Sequence, residues 1–168
     1  LKSDVAELAG TFDIDPEKQK QAHDAGIFTY DSFEAVLADP TVEAVTVVTP
    51  NDCHKDLVIR ALQAGKNVVC EKPVEMSVAA FDEMANAAAK SGKVFTVHQN
   101  RRWDVDFLAM KSIAQSGEIG DLLNIESRVH GSRGIPSDWR CHKQYGGGMI
   151  LDWGVHMIDQ LLQITGKD

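Results

Sequence analysis

Apolar and polar positions follow two distinct rhythms along the first two thirds of this chain. Residues 5–12 (VAELAGTF) read as a strand, and 15–26 (DPEKQKQAHDAG) as a polar helix opening on Asp-Pro and stopping at glycine. Residues 32–39 form a second short helical pattern. The continuous β-rich run at 44–49 (AVTVVT) predicts a parallel strand covered on both faces. An amphipathic helix over 52–65 follows, then strand 67–70, helix 77–92, strand 94–99 and helix 104–117. This alternation implies right-handed crossovers and a Rossmann-type, doubly wound parallel sheet.

The grammar changes near Gly120. Residues 122–131 (LLNIESRVHG) alternate like a strand of an antiparallel sheet, followed by a loop over 132–148 and one more helix. The chain is therefore divided into an α/β unit over 1–120 and the beginning of an α+β unit over 121–168, with a mainly antiparallel sheet. No repeat or low-complexity segment interrupts either.

Composition narrows the partners. The 168 residues are 43% hydrophobic, enough for one core and part of a second. A net charge of −8, without a basic stripe, argues against nucleic acid or an acidic membrane surface. Three widely spaced cysteines, Cys53, Cys70 and Cys141, fit free thiols in the cytoplasm better than a disulfide framework. No secretion signal or membrane-spanning apolar run is read.

In open parallel sheets ligands bind beyond the carboxyl ends of the strands, and those ends are unusually polar here. Pro50, Asn51 and His54 follow one strand, Glu71 and Lys72 the next, and His98, Gln99 and Asn100 a third. Singly, Asn51 could cap a helix and Gln99 could close a turn. Together they are expected to converge on one crevice. Asp13 stands where a Rossmann fold places the acid that binds the ribose hydroxyls of NAD and repels a 2′-phosphate, while Asp15 is better placed as a helix cap beside Pro16.

Residues 146–162 (GGGMILDWGVHMIDQLL) carry a second constellation. Asp152 and His156 are four apart and would share a helix face, with Asp159 one turn further on. The glycines permit close approach of backbone or ligand. A surface ion pair and a metal cluster are the alternatives, but the apolar flanks disfavour the first and the missing further ligand disfavours the second. Acid–base use of Asp152 and His156 is the preferred reading.

In this order, TPNDCH, AGKNVVCEKPVEMS, NRRW, DWR and GGGMILDWGVHMID resemble the glucose-fructose oxidoreductase, inositol dehydrogenase and rhizopine catabolism family of nicotinamide-dependent enzymes. The resemblance implies hydride transfer between NAD, with NADP as an alternative, and an alcohol or ketone of a sugar or polyol. It makes 1–120 the dinucleotide-binding domain and 121–168 the start of a substrate and oligomerisation domain, in an expected homo-oligomer. Lys72, Asp152 and His156 become catalytic. Asp13, Thr49, Pro50, Asn51, His54, Glu71, Lys72, Pro73, Gln99 and Asn100 would face the cofactor, and Lys72, Arg101, Trp139, Arg140, Asp152 and His156 the substrate. No metal is implied. The Lys72–Pro73 peptide is expected to be cis. Non-redox glycoside cleavage and a non-catalytic segment are the rival readings.

The family opens with a strand and a Gly-x-Gly-x-x-Gly turn ahead of the Asp13 strand, and this sequence has neither. It also stops before the family's antiparallel sheet is complete. The chain is thus expected to be an internal segment with an incomplete sheet, or else to close the gap by pairing the Asp13 strand with 44–49 or by accepting a strand from another chain. On its own it is expected to bind dinucleotide poorly.

Overall fold

A computed structural model describes residues 3–131 and 137–166. Three strands, β1 (Ala44–Val47), β2 (Asn67–Cys70) and β3 (Phe95–Val97), form a parallel sheet in the order β1-β2-β3. Val45 pairs with Val68 and Val47 with Cys70, and Val68 pairs with Phe95. The helices are α1 (Pro16–Asp24), α2 (Phe33–Ala38), α3 (His54–Gln63), α4 (Val78–Ser91), α5 (Val105–Ser116) and α6 (Val155–Thr165).

Helix ends follow their capping residues closely. Asp15, Ser32 and Ser77 each accept an amide N–H of the first turn, from Glu17, Ala35 and Ala80. Gly92 and Gly117 close α4 and α5 in the left-handed conformation. Val45, Val47, Val68 and Cys70 on one sheet face pack with Val58, Ala61 and Leu62 of α3 and Met84 of α4, all at most 9% exposed. Burial pushes the Cys70 thiol up to about 12, and all three cysteines are free.

Three expectations fail. The β1 run is not covered on both faces: Val45 and Val47 are buried, but Thr46 and Val48 on the other face are exposed, because α3 and α4 both pack on the same side. Residues 5–12 are not a strand of the sheet. Thr11 makes one isolated parallel bridge to Thr29, and the Asp13 segment does not pair with β1. Residues 122–131 have no regular structure either, so the expected antiparallel strand is absent and Leu123 is 95% exposed. Both segments carry strand-like side chains, but a strand exists only where a neighbour accepts its N–H and C=O groups. The loop expected over 132–148 falls partly outside the described residues. Among the described residues no helix is long and apolar enough to cross a membrane.

Candidate active site

The ends of β1 and β2 open into one crevice. After β1 the chain turns through a 3₁₀ helix, Asn51–Cys53, into α3. Asn51 is buried and does not cap that helix. Its Nδ2 donates instead to the carbonyl of Tyr145 (3.1 Å), tying the β1 end to the loop before α6. After β2, Glu71 accepts the Lys72 amide N–H (3.2 Å) and lies 2.6 Å from His98 Nδ1. The next peptide, Lys72–Pro73, is cis.

Lys72 is held by both parts of one residue. Its Nζ donates to the Asp152 carboxylate and to the Asp152 carbonyl, each at 2.9 Å. The pair is mostly shielded, with side chains 18% and 22% exposed. Asp152 reaches it from a π-helical turn, Ile150–Gly154, that precedes α6. This turn alters the periodicity assumed for the sequence. Asp152 faces the crevice, whereas His156 is 5% exposed, outside the crevice lining and not hydrogen-bonded to Asp152. His156 Nδ1 is buried without a partner among the described residues. Burial, and then the Lys72 and Arg101 cations, hold the His156 pKa below the usual imidazole value, a shift that favours the neutral ring.

The crevice measures about 290 Å³ and is lined by Thr49, Pro50, Asn51, Glu71, Lys72, Pro73, Trp139, Arg140 and Asp152, with Gly146–Gly148 and Lys18. The Arg140 guanidinium lies 4.4 Å from the centre of the Trp139 ring, and its Nε is 3.9 Å from Asp152. Asp138 fixes this turn by accepting from the Arg140 amide (2.9 Å) and guanidinium (2.7 Å), bonds that hold its carboxyl below the ordinary range. Gly147 is required by the protein's own backbone: a Cβ there would meet the Arg140 carbonyl at 2.3 Å. Its close approach is therefore to backbone.

Several expected site residues lie elsewhere. His54 is fully buried, its two ring nitrogens 3.0 Å from the carbonyl oxygens of Pro73 and Thr49, so it pins together the two strand-end loops behind the crevice. Asp13 is not on the lining. Its carboxylate accepts the Asp15 amide (2.9 Å) and pairs with Lys18 (3.5 Å). Gln99, Asn100 and Arg101 follow β3 into a 3₁₀ turn, Asn100–Trp103, that faces α6 and not the crevice. Asp159, the remaining member of the metal alternative, is bound by Arg102 through Nε (2.9 Å) and Nη2 (2.6 Å). Lys18 was missed in the sequence. The available signal was a cation in the early part of a helix, where the dipole favours acids.

The lining fits the nicotinamide end of a dinucleotide and a small polar partner. It offers an amide, an ammonium and a carboxylate on apolar walls, and the Thr49 hydroxyl oxygen is buried there with no partner among the described residues.

The chain is similar to known proteins over most of its length. Residues 1–99 match an oxidoreductase family with an NAD-binding Rossmann fold, and 107–168 match the GFO/IDH/MocA C-terminal domain. A solved NAD-binding protein from Listeria innocua superposes with a TM-score of 0.91 at 54% identity, over 93% of this chain and 45% of that one. The NADP⁺-dependent scyllo-inositol 2-dehydrogenase of Bacillus subtilis is 34% identical over 80% of this chain and 38% of its own length. The 1,5-anhydro-D-fructose reductase of Ensifer adhaerens is 36% identical over 82% and 42%. The chain thus spans about two fifths of the length of the curated relatives it matches.

Proposed function

From the premise that this chain belongs to the GFO/IDH/MocA family of NAD-binding Rossmann oxidoreductases, we propose that its crevice is the reacting end of a sugar or polyol dehydrogenase. The observation that carries the reading is the Lys72 ammonium, set 2.9 Å from Asp152 where the ends of β1 and β2 meet. A nicotinamide held between the strand-end residues Thr49, Pro50, Lys72 and Pro73 would supply or accept the hydride. The chain's own residues manage position and charge. Asn51 and the buried His54 hold the strand-end loops that form the floor. Lys72 donates to the substrate oxygen and stabilises the negative charge that builds on it as its proton leaves. Asp152 aims Lys72 and accepts a neighbouring hydroxyl. His156, whose burial and neighbouring cations favour the neutral ring, is the residue we assign as acceptor of the hydroxyl proton. Trp139 and Arg140 wall the substrate side.

Sugar and polyol substrates are supported by the names of the two relatives, an inositol dehydrogenase and an anhydrofructose reductase. We place the start of the substrate-side unit near Gly120, expect a homo-oligomer in the cytoplasm, and include no nucleic acid or membrane among the partners. The test is a panel of polyols and sugars with NAD and NADP on the full-length protein, followed by reduced-nicotinamide absorbance. Cleavage of a glycoside without net formation of reduced cofactor would replace this reading with the non-redox one.

A further inference from the structure

The segment after β3 is fastened to the middle of α6 and to the π turn before it by contacts that the proposed chemistry does not use. Gln160 donates from Nε2 to the Arg101 carbonyl (3.0 Å), and Arg102 grips Asp159. Arg101 itself bonds Asp104 through Nη1 (2.9 Å), and its guanidinium lies 4.2 Å from the centre of the Trp153 ring. Trp153 in turn meets the His156 ring edge to face, with centroids 6.0 Å apart. A cation, an indole and an imidazole therefore stand in one stack, anchored at its far end by a carboxylate.

We propose that Arg101 is a positioning residue: its guanidinium plate, fixed by Asp104, holds the Trp153 indole and through it the orientation of the His156 ring. The inference rests on the acid–base reading of His156 given above. A guanidinium suits this place because it stacks flat on an indole while bonding a carboxylate in its own plane, which an ammonium cannot do. The π turn provides the other half of the device. It places Asp152 on the crevice and Trp153 against Arg101, so the face that binds Lys72 and the face that is clamped belong to consecutive residues. The charged groups acting on His156 are Lys72 from the end of β2, Arg101 and Asp104 from the turn after β3, and Asp152 from its own turn. Removal of Arg101 takes away one of two cations and leaves Asp104 unpaired, and both changes favour protonated His156.

The test has a readout independent of turnover. Histidine-selective ¹⁵N labelling of the protein, with His156 assigned by His156→Asn, gives the titration and tautomer of this ring. In Arg101→Gln the titration moves to higher pH and the tautomer preference of the wild-type ring weakens. In Arg101→Lys the charge remains, so the titration stays near wild type, while kcat of the full-length protein falls about 10- to 100-fold with little change in KM. Arg102→Gln is the control, because it cuts the bridge to Asp159 without touching the stack, and His156 titrates there as in the wild type. The proposal is overturned if the His156 tautomer preference is the same in the wild type and both Arg101 variants, if kcat of Arg101→Lys equals that of the wild type, or if Arg102→Gln changes the tautomer preference as far as Arg101→Gln does. A changed tautomer preference in a full-length protein inert towards every polyol supports the positioning role of Arg101 and overturns the dehydrogenase reading instead.

Discussion

The end of β3 and the ends of β1 and β2 carry the same kind of sequence, an apolar run followed by amides and cations, yet they serve different surfaces. At β1 and β2 the following residues, Asn51 and Glu71-Lys72, open onto the crevice. At β3 the chain enters the 3₁₀ turn Asn100–Trp103, and its arginines turn to α6, one onto Trp153 and one onto Asp159. Strand order alone does not distinguish them, since β3 is as close a neighbour of β2 as β1 is. The difference lies in what each end meets. Lys72 finds a carboxylate across the crevice mouth, whereas Arg101 and Arg102 find an indole and a carboxylate on a packed helix. Polar residues at a strand end thus supply either chemistry or support, according to the element that faces them.

The largest expected effect breaks this comparison at its chemical side. Lys72→Ala in the full-length protein lowers kcat/KM by about 10²- to 10³-fold or more, as loss of a donor to developing oxyanion charge does, with the circular dichroism spectrum unchanged. Steady-state kinetics checks it, and turnover within a few-fold of wild type would remove Lys72 from the mechanism.

His54 tests the supporting side within the crevice itself. It is fully buried between two carbonyl oxygens, so His54→Ala leaves a cavity and strips a partner from the loops after β1 and β2. The cost is about 2–4 kcal/mol, read from urea denaturation. A change below about 1 kcal/mol would mean that the strand-end loops hold without it.

A smaller effect concerns pH. Because the folded state depresses the His156 pKa, the stability linked to this ring is present above the unfolded value of about 6.5 and is lost as pH falls through the folded value. His156→Asn removes that slope from the pH dependence of stability and flattens the acid limb of kcat/KM. A limb unchanged in His156→Asn would assign the proton to another group.

Helices were legible in the sequence because their information is local. Asp15, Ser32 and Ser77 mark their starts, and Gly92 and Gly117 mark two of their stops. The three strands of the sheet were legible for a related reason, as short β-branched runs between helical periods. What failed depends on partners. Residues 5–12 and 122–131 have the side chains of strands, but the first meets a neighbour only at Thr29 and the second meets none among the described residues. The site divides in the same way. Lys72, Asp152, Asn51, Trp139 and Arg140, singled out by residue type and motif, do line one crevice. The inward turn of His54 and the stacking of Arg101 were not legible, because both depend on what lies across the fold. The π turn left no periodic signal, and it separates Asp152 from His156 more than an i,i+4 spacing suggests.

The smallest expected effect concerns the choice of cofactor, where sequence and structure point different ways. An aspartate at the position of Asp13 normally disfavours a 2′-phosphate by like charge. Here one carboxylate oxygen accepts the Asp15 amide and the other stands 3.5 Å from the Lys18 ammonium, on a residue that also lines the crevice. A compensated carboxylate repels less, and an exposed pair of this kind is worth at most about 1 kcal/mol, so the preference between NAD and NADP is expected within about 10-fold. Lys18→Ala uncovers the charge of Asp13 and shifts the ratio of kcat/KM towards NAD, whereas Asp13→Asn shifts it towards NADP by a similar factor. Both ratios come from initial rates with the two cofactors at low ionic strength, where screening is least. A wild-type preference for NAD above 100-fold, unchanged by Lys18→Ala, would show that Asp13 turns away from Lys18 when the cofactor binds.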